Sequence, residues 1–442
     1  MISFDPYTIT LLMLGGLLFG LFLGHPLAFV FGGLAVIFGY LSWGPGCFSL
    51  FGFRIMGLMN NFILVAIPMF ILMANLINSS GVADKLFDSL RYLMGRLRGG
   101  MALAVVIVCT LFAACTGVIA ASVVSMGLLA LPIMIKYGYN KELSCGTICA
   151  GGSLGILIPP SIMLIVMADM TSLSVGRLFI GAVVPGLVLA LSYTLYILII
   201  CWFKPEYGPP LSREERSQVT SLEILKMTII SVIPPVILIA GVLGSIFTGA
   251  ATPTEASAVG AFLALIMTIA YGRFSWSMMV EVTLSTAKTC GMVMMILLGA
   301  TCFTGVFMGV GGGKAVSSFI LGLSLGKWGT LAAMMFVIFL LGMFVDWVGI
   351  VYITFPIFVP IAVKLGFDPL WFVVLAAVNL QSSFLTPPFG YALFFMKGIA
   401  AKDLTTAQIY RSVLPFLVII LVVLVLCVLF PDLIIAPTRL VK

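Results

Sequence analysis

The chain has 442 residues, of which 62% are hydrophobic and only 8% are charged, whereas soluble domains carry roughly 25% charged residues. This composition excludes an ordinary soluble fold. The net charge of +7 is explained by cytoplasmic loops, which collect Lys and Arg, and no basic cluster on a soluble element indicates nucleic acid. The apolar runs approach the roughly 20 residues of a spanning helix and lack the alternation of a barrel, so we predict an all-α polytopic membrane protein.

In chain order, the first half of the sequence (1–203) divides into apolar and charged segments. Apolar spans are predicted at about 7–24, 26–43 and 55–78, followed by a charged arm at 83–98, a broken stretch at 99–135, a second broken stretch at 143–170 and a helix at 176–203. Basic residues flank both ends of the stretch at 99–135, which is therefore either two full spans or a re-entrant hairpin interrupted near Thr116-Gly117. The next stretch is interrupted at Pro159-Pro160, because adjacent prolines remove two backbone donors.

A polar stretch at 204–226 is predicted to be a cytoplasmic linker to the second half of the chain. The second half (227–442) is predicted to contain apolar helices at 227–310, a hairpin at 327–362, a broken helix at 370–396 and a final helix at 404–430.

The two halves repeat a series of landmarks. Pro159 and Pro387 lie in the related motifs LIPP and LTPP, at an offset of 387 − 159 = 228. Pro26 and Pro253 each open an Ala-rich span, at an offset of 253 − 26 = 227. Because further landmarks follow in the same order, we predict a tandem duplication of one multi-helix unit.

The distribution of basic residues predicts the topology. With residue 1 outside, seven of the 22 Lys and Arg residues lie outside and the remaining 22 − 7 = 15 lie inside, which obeys the positive-inside rule. The stretch at 99–135 returns to its own side, so each half crosses the membrane an odd number of times and the second half must be inverted. The N-terminus is then periplasmic. The seven outer residues are Arg54, Arg177, Lys314, Lys327, Lys364, Arg439 and Lys442.

Four interrupted segments are predicted, two in each half, at 112–122, 151–161, 342–347 and 382–390. At membrane depth the backbone can be irregular only where it is buried or lines a cavity, and matched interruptions in inverted repeats indicate the sites of secondary transporters. Their free carbonyl oxygens can hold Na⁺, and their helix N-termini can face a carboxylate. The predicted chemistry is reversible binding, with no catalytic residues.

Three acidic residues have a functional and a structural interpretation. Asp346 lies in a long apolar stretch, where an unpaired carboxylate is costly, and we favour a cation ligand or proton carrier over an interfacial residue. Glu255 is equally compatible with function and with helix capping. Asp169 lies near the predicted outer end of its helix and is interpreted as interfacial.

Other classes of protein are less compatible with the sequence. The nine cysteines lie nearly all in apolar runs and His25 is the only histidine, so neither a transition metal nor a cofactor is predicted. An intramembrane enzyme would need a catalytic set such as HExxH, which the chain lacks. A channel is an alternative, but four mid-membrane interruptions suit alternating access better.

The landmarks resemble the large transmembrane subunit of the tripartite ATP-independent periplasmic (TRAP) transporters over nearly the entire chain. The resemblance implies a bacterial inner-membrane, sodium-coupled importer of organic anions, usually carboxylates, with an elevator-type mechanism. It further implies that the helices at 7–78 and 227–310 form the scaffold and that the two hairpins and two broken helices move. It also implies two partners, a small four-helix membrane subunit and a soluble periplasmic substrate-binding protein. The motifs that carry it are AIPMFILMANLINSSGVADKL (66–86), GSLGILIPPSI (152–162), TPTEASAVG (252–260), LGMFVDW (341–347) and VNLQSSFLTPPFGYALF (378–394).

The resemblance and the interruptions together predict the site residues. The predicted Na⁺-binding residues are Thr116, Gly117, Ser122, Gly342, Asp346, Thr386 and Gly390. The predicted substrate-binding residues are Ser153, Gly155, Pro160, Ser161, Ser383 and Pro388.

The chain departs from the family pattern at the first hairpin tip. Where the family commonly has a Ser-Gly-Ser type tip, this chain has Thr116-Gly117-Val118, with one hydroxyl fewer. Trp347, beside Asp346, is also expected to reshape the pocket. An anion transporter of related repeat architecture that needs no binding protein is the alternative to a TRAP permease.

Overall fold

The computed structural model describes residues 5–212, 214–215, 219–388, 390–400 and 404–439, and these form twenty α-helices. Residues 1–4 and Lys442, to which the topology prediction refers, lie outside the described residues, as does part of the predicted linker. The first half contains α1 (Pro6–Phe22), α2 (Leu27–Trp43), α3 (Gly46–Met59), α4 (Ala66–Ser79), α5 (Val82–Leu93), α6 (Gly100–Thr116), α7 (Ile119–Lys136), α8 (Lys141–Ser153), α9 (Ile162–Thr171) and α10 (Val175–Phe203). The second half contains α11 (Ser221–Phe247), α12 (Pro253–Ala270), α13 (Trp276–Gly309), α14 (Gly312–Gly322), α15 (Gly326–Gly342), α16 (Trp347–Lys364), α17 (Pro369–Phe384), α18 (Tyr391–Ala400), α19 (Thr406–Leu429) and α20 (Asp432–Thr438).

Many of these helices are suited to a bilayer. Within the described ranges, seven helices are long and apolar enough to cross a membrane: α7, α10, α11, α12, α13, α16 and α19. The pair α4 and α5, which meet at a bend of 56°, can be counted as an eighth. Large apolar side chains such as Leu11, Ile237 and Val425 face outwards, where lipid replaces water as the solvent. The prediction of an all-α polytopic membrane protein is therefore confirmed.

The prediction of one continuous span at 55–78 is wrong. α3 ends at Met59 and α4 begins at Ala66, so the chain is interrupted between them. The Asn61 side chain stabilises the interruption, because its oxygen accepts from the Ile63 backbone N–H at 3.0 Å and its nitrogen donates to Asp169 at 2.5 Å. In the second half, α13 runs unbroken for 34 residues.

Two other boundaries differ from the predictions. The linker is shorter than 204–226, because α11 already begins at Ser221, where Thr220 and Glu223 form a capping box. The short helix α20, after the predicted final helix, was not predicted. Both differences arise from local capping and packing, which apolar length does not report.

α6 with α7, and α15 with α16, form two helical hairpins. The Met101 backbone N–H at the start of α6 donates to the Tyr139 hydroxyl just beyond α7, at 3.0 Å. Lys327 at the start of α15 donates to the Gly366 carbonyl just beyond α16, at 3.4 Å. Both ends of each hairpin therefore lie together, and its tip lies at the opposite end. With 17 and 18 residues per arm, the first hairpin is about 25–27 Å long, slightly less than the roughly 30 Å core of a bilayer.

Contacts between the two halves occur in exchanged pairs: where a helix of the first half packs on a helix of the second half, the equivalents of these two helices also pack on each other. α4 packs on α12 as α2 packs on α13, and α7 packs on α18 as α9 packs on α16. α8 packs on α19 as α10 packs on α17. Each half thus supplies the packing partners of the other, and this exchange brings the tips of both hairpins to the same region as the two broken helices.

Candidate functional site

The tip of the first hairpin is Gly117, between α6 and α7. Its φ of +62° is a left-handed conformation, and a Cβ there would lie 2.9 Å from the carbonyl oxygen of Pro160. The neighbouring hydroxyls of Thr116 and Ser122 are buried and 3.4 Å apart. Ser122 also lies next to Gly155 of the first broken helix. Its hydroxyl oxygen would be 3.7 Å from a Cβ built on this glycine. The first tip is therefore packed directly against the first broken helix.

The hydroxyls of the first broken helix are bonded to backbone groups. Ser161 accepts from the Leu164 N–H at 3.3 Å as the N-cap of α9, and it donates to the carbonyl of Ile156. Ser153 donates to the Ala150 carbonyl at 2.9 Å. These hydrogen bonds hold the ends of α8 and α9 in place across the cis peptide bond of Pro159-Pro160.

The second tip has the carboxylate that the first tip lacks. Asp346 is the N-cap of α16, is partly buried, and accepts from the Val348 N–H at 3.4 Å. α15 approaches α17 so closely that a Cβ on Gly342 would overlap the side chain of Ser383. The Ser383 hydroxyl donates to the Phe339 carbonyl at 3.1 Å.

The second broken helix separates at Pro387-Pro388, again with a cis peptide bond. The Thr386 hydroxyl donates to the Ser382 carbonyl at 2.6 Å. Pro388 is exposed, and its carbonyl accepts from the Tyr410 hydroxyl at 3.1 Å. Gly390, at φ +39°, precedes α18. Phe389 lies outside the described residues.

Two cavities adjoin Asp346. The first, which we call the hairpin cavity, has a volume of about 250 Å³ and is bordered by the loop from Gly342 to Asp346 and by Gly390 and Tyr391. The second, which we call the tip cavity, has a volume of about 260 Å³ and lies between Gly117 and Asp346 on one side and residues of α13 such as Thr289 on the other. Asp346 and Tyr391 border both cavities. A cation at this carboxylate would therefore lie next to a ligand in the tip cavity.

Four helices begin at the tip cavity. Its lining includes the first residues of α7, α9, α16 and α18, which are Ile119, Ile162, Trp347 and Tyr391. A helix N-terminus presents free N–H groups and a partial positive charge of about one half. The convergence of four such termini makes the cavity suited to an anionic group.

The predicted site residues divide into three groups. Gly117, Gly342 and Gly390 border one of the two cavities, and Asp346 borders both. Thr116 and Ser122 stabilise the first tip through their hydroxyls, and Thr386 stabilises the second broken helix in the same way. The predicted substrate-binding residues Ser153, Gly155, Pro160, Ser161, Ser383 and Pro388 border neither cavity.

Sequence reasoning missed Tyr391 and Thr289 as cavity residues. Tyr391 directly follows the second interruption, and Thr289 is a polar residue in an apolar helix, so weak signals for both were present. Glu255, which the sequence left undecided, is a capping residue, since its carboxylate accepts from the Thr252 N–H at 2.7 Å and from the Thr252 hydroxyl at 2.8 Å.

A helical membrane protein whose interrupted helices converge on internal cavities around one carboxylate has the architecture of a secondary transporter. Solved transporters share the fold. The YdaH transporter of Alcanivorax borkumensis matches with a TM-score of 0.66 at 14% identity, covering 96% of this chain and 98% of that one. MtrF of Neisseria gonorrhoeae matches with a TM-score of 0.54 at 15% identity, covering 84% and 80%.

Sequence comparisons define the family. Residues 14–433 match the model of the tripartite ATP-independent periplasmic transporter, DctM component. The C4-dicarboxylate TRAP transporter large permease protein DctM of Pseudomonas aeruginosa is 34% identical over 400 residues, or 90% of this chain and 91% of the relative. The sialic acid TRAP transporter large permease protein SiaM of Vibrio cholerae is 29% identical over 414 residues, or 93% and 94%. The chain belongs to the TRAP transporter family as its large permease component, and it is a transporter subunit rather than an enzyme.

Proposed function

We propose that this permease subunit imports an organic anion of the carboxylate type into a bacterial cell in symport with Na⁺. The observation that carries the proposal is the convergence of four helix N-termini on the tip cavity, which favours a negatively charged ligand. The names of the relatives agree with such a ligand, since C4-dicarboxylates and sialic acid both carry carboxylates.

The ion site is proposed at Asp346 and the loop that precedes it. Hard cations prefer oxygen ligands, and unwound backbone in broken transporter helices supplies carbonyl oxygens for Na⁺. Asp346 adds a full negative charge between the two cavities. Gly342 and Gly390 allow the backbone to approach closely there. A Na⁺ ion at this site would offset the charge of an anion in the adjacent tip cavity, so that each favours binding of the other.

The exchanged packing of the halves supports the predicted inverted repeat. It pairs each hairpin with the broken helix of the other half, as a two-fold relation would. Gly81 and Gly311 occupy equivalent positions in the two halves. Arg273 lies against Gly81, and Pro6 lies against Gly311. We propose that the first contact is cytoplasmic and the second periplasmic, in agreement with the distribution of basic residues.

We further propose that transport uses an elevator mechanism. The hairpins and broken helices would move as one body past the scaffold helices, carrying the tip cavity from one side of the inner membrane to the other. The apolar outer faces of scaffold helices such as α1 and α11 offer a surface for the small four-helix subunit. A soluble periplasmic binding protein would deliver the anion to the outer side.

The ion site is tested by the substitution Asp346→Asn in liposomes that contain the permease, its small subunit and the loaded binding protein. Loss of the charge is expected to lower sodium-dependent uptake by about tenfold or more, because a single close charge is worth more than about 1.4 kcal/mol in a poorly solvated site. The matched control is Asp432→Asn, since the Asp432 side chain is 79% exposed. Unchanged uptake and sodium dependence in Asp346→Asn would place the ion elsewhere.

A further inference from the structure

A third cavity, which we call the Arg54 cavity, lies at the interruption between α3 and α4. Its volume is about 250 Å³. Arg54 borders it from α3 and Asn61 from the interruption. Asp169 borders it from the last turn of α9, and Thr301 and Tyr352 border it from α13 and α16. It therefore lies between scaffold helices and the elements that carry the tip cavity.

The Arg54 cavity continues the tip cavity along the same two helices. On α13, the tip cavity extends to Ile296 and the Arg54 cavity begins at Thr301. On α16, the tip cavity extends to Val348 and the Arg54 cavity begins at Tyr352. At 1.5 Å per residue, these steps are about 8 Å and about 6 Å along the helix axes. This separation is comparable to the length of a small organic anion.

The Arg54 cavity also lies towards one defined face of the membrane. α9 ends at this cavity, and α10 begins four residues later. At the far end of α10, Gly208 accepts from the Gly99 N–H at 2.8 Å, at the base of the first hairpin. The cavity is thus on the face opposite that base, which is the face predicted to be periplasmic.

The polar groups of this cavity suit a carboxylate. Among the described residues Arg54 makes no ion pair or hydrogen bond, although its guanidinium lies against α13, with Nε 3.3 Å from a Cβ built on Gly305. The Thr301 hydroxyl, on α13, is buried next to the Tyr352 phenol, with which it interacts. Asp169, the acidic residue of the lining, accepts from Asn61 at 2.5 Å. The uncommitted guanidinium of Arg54 matches the two oxygens of a carboxylate, and the Thr301 hydroxyl is a second donor in the same cavity.

We propose that the Arg54 cavity is a vestibule site that holds the carboxylate of the substrate anion before it enters the tip cavity. Arg54 binds the carboxylate through its planar donors, and Thr301 donates a further hydrogen bond. The inference rests on the proposed function, because it assumes that an organic anion reaches the tip cavity from this face. It goes beyond that function by assigning a second binding site and its residues.

The test compares Arg54→Gln, Arg54→Lys and Thr301→Val in liposomes with the small subunit and the cognate binding protein. The probes are radiolabelled succinate, sialic acid and 2,3-diketo-L-gulonate, which represent the ligands given in the names of related large permeases, and the one that the wild type transports is used. Arg54→Gln is expected to raise KM for the loaded binding protein roughly tenfold with little change in kcat, because the lost pair is charge-assisted. The KM of Arg54→Lys should lie between those of the wild type and Arg54→Gln, since an ammonium lacks the planar fork of donors. Thr301→Val should raise KM by less than Arg54→Gln does.

The control variant is Arg177→Gln, because Arg177 is exposed on the same predicted face and does not border the cavity. An unchanged KM in Arg54→Gln, or an equal rise in Arg177→Gln, would overturn the vestibule. So would an equal loss of affinity for the empty and the loaded binding protein, which would make Arg54 a docking contact. If the wild type transports no organic anion that its binding protein carries, the proposed function itself is contradicted; if it transports one and only the Arg54 effect is missing, the vestibule alone fails.

Discussion

At the scale of single residues, the site depends on positions where close packing requires either a particular side chain or a glycine. Gly117 combines a left-handed backbone with contact to the Pro160 carbonyl. Asp346 is placed by its capping bond to α16 so that it borders two cavities. The proposed roles of both residues depend on this geometry. A longer side chain at Gly117 or a neutral side chain at Asp346 would change it.

We expect Gly117→Ala to impair transport at least tenfold while the protein still inserts. The left-handed conformation costs a residue with a Cβ about 1–2 kcal/mol, and the contact with Pro160 would force the tip away from the broken helix. The matched control is Gly322→Ala, because a Cβ on Gly322 meets no atom within 4 Å. The measurement is uptake per amount of correctly inserted protein, and wild-type uptake in Gly117→Ala would show that the tip geometry is unimportant.

Asp346 was predicted from sequence because a carboxylate in an apolar stretch is conspicuous. Arg54 was recognised only as one of seven outer basic residues, since its significance depends on a cavity that it shares with Thr301, which follows 247 positions later (301 − 54). Three of the predicted substrate residues of the broken helices, Ser153, Ser161 and Ser383, are serines with a hydroxyl that could bind a ligand. In the structure those hydroxyls are bonded to nearby carbonyls, as for Ser153 and Ser383, and local sequence cannot distinguish a free hydroxyl from a bonded one.

At the scale of elements, all four predicted interruptions are present, because paired prolines and a tip glycine leave a strong local signal. The interruption after Met59 was missed, since the apolar residues that follow it resemble a continuing span. Asn60-Asn61 was the available signal, but the partner that fixes Asn61 is Asp169, more than 100 residues away in sequence. Apolar length predicts that a helix exists more reliably than it predicts where the helix ends.

The first hairpin tip and the scaffold helix α13 are expected to move past each other during transport. Val118 and Met292 border the tip cavity from these two elements, and Met292 is 55% exposed. Cysteines at both positions, joined by a short bifunctional methanethiosulfonate, should arrest uptake, and a reducing agent should restore it. Each single-cysteine variant treated with the same reagent is the control. Full uptake by the cross-linked double variant would contradict relative movement of the two elements.

At the scale of the whole molecule, exchanged packing explains why neither half could form the site alone. The tip cavity takes α7 and α9 from the first half and α16 and α18 from the second. The first half supplies an uncharged tip, whereas the second supplies Asp346. Two similar halves therefore form an asymmetric site, in which we propose that one half provides the charge for a cation and that both provide helix termini for an anion.

The central claim, that the chain drives import of an organic anion with Na⁺, is tested most directly by exchanging the cation. Liposomes would contain the wild-type permease and its small subunit, with the loaded binding protein outside, and would be compared under an inward Na⁺ gradient and an equal K⁺ gradient. We predict accumulation of succinate, sialic acid or 2,3-diketo-L-gulonate above its external concentration only with Na⁺. Equal accumulation in K⁺ without Na⁺ would contradict sodium coupling.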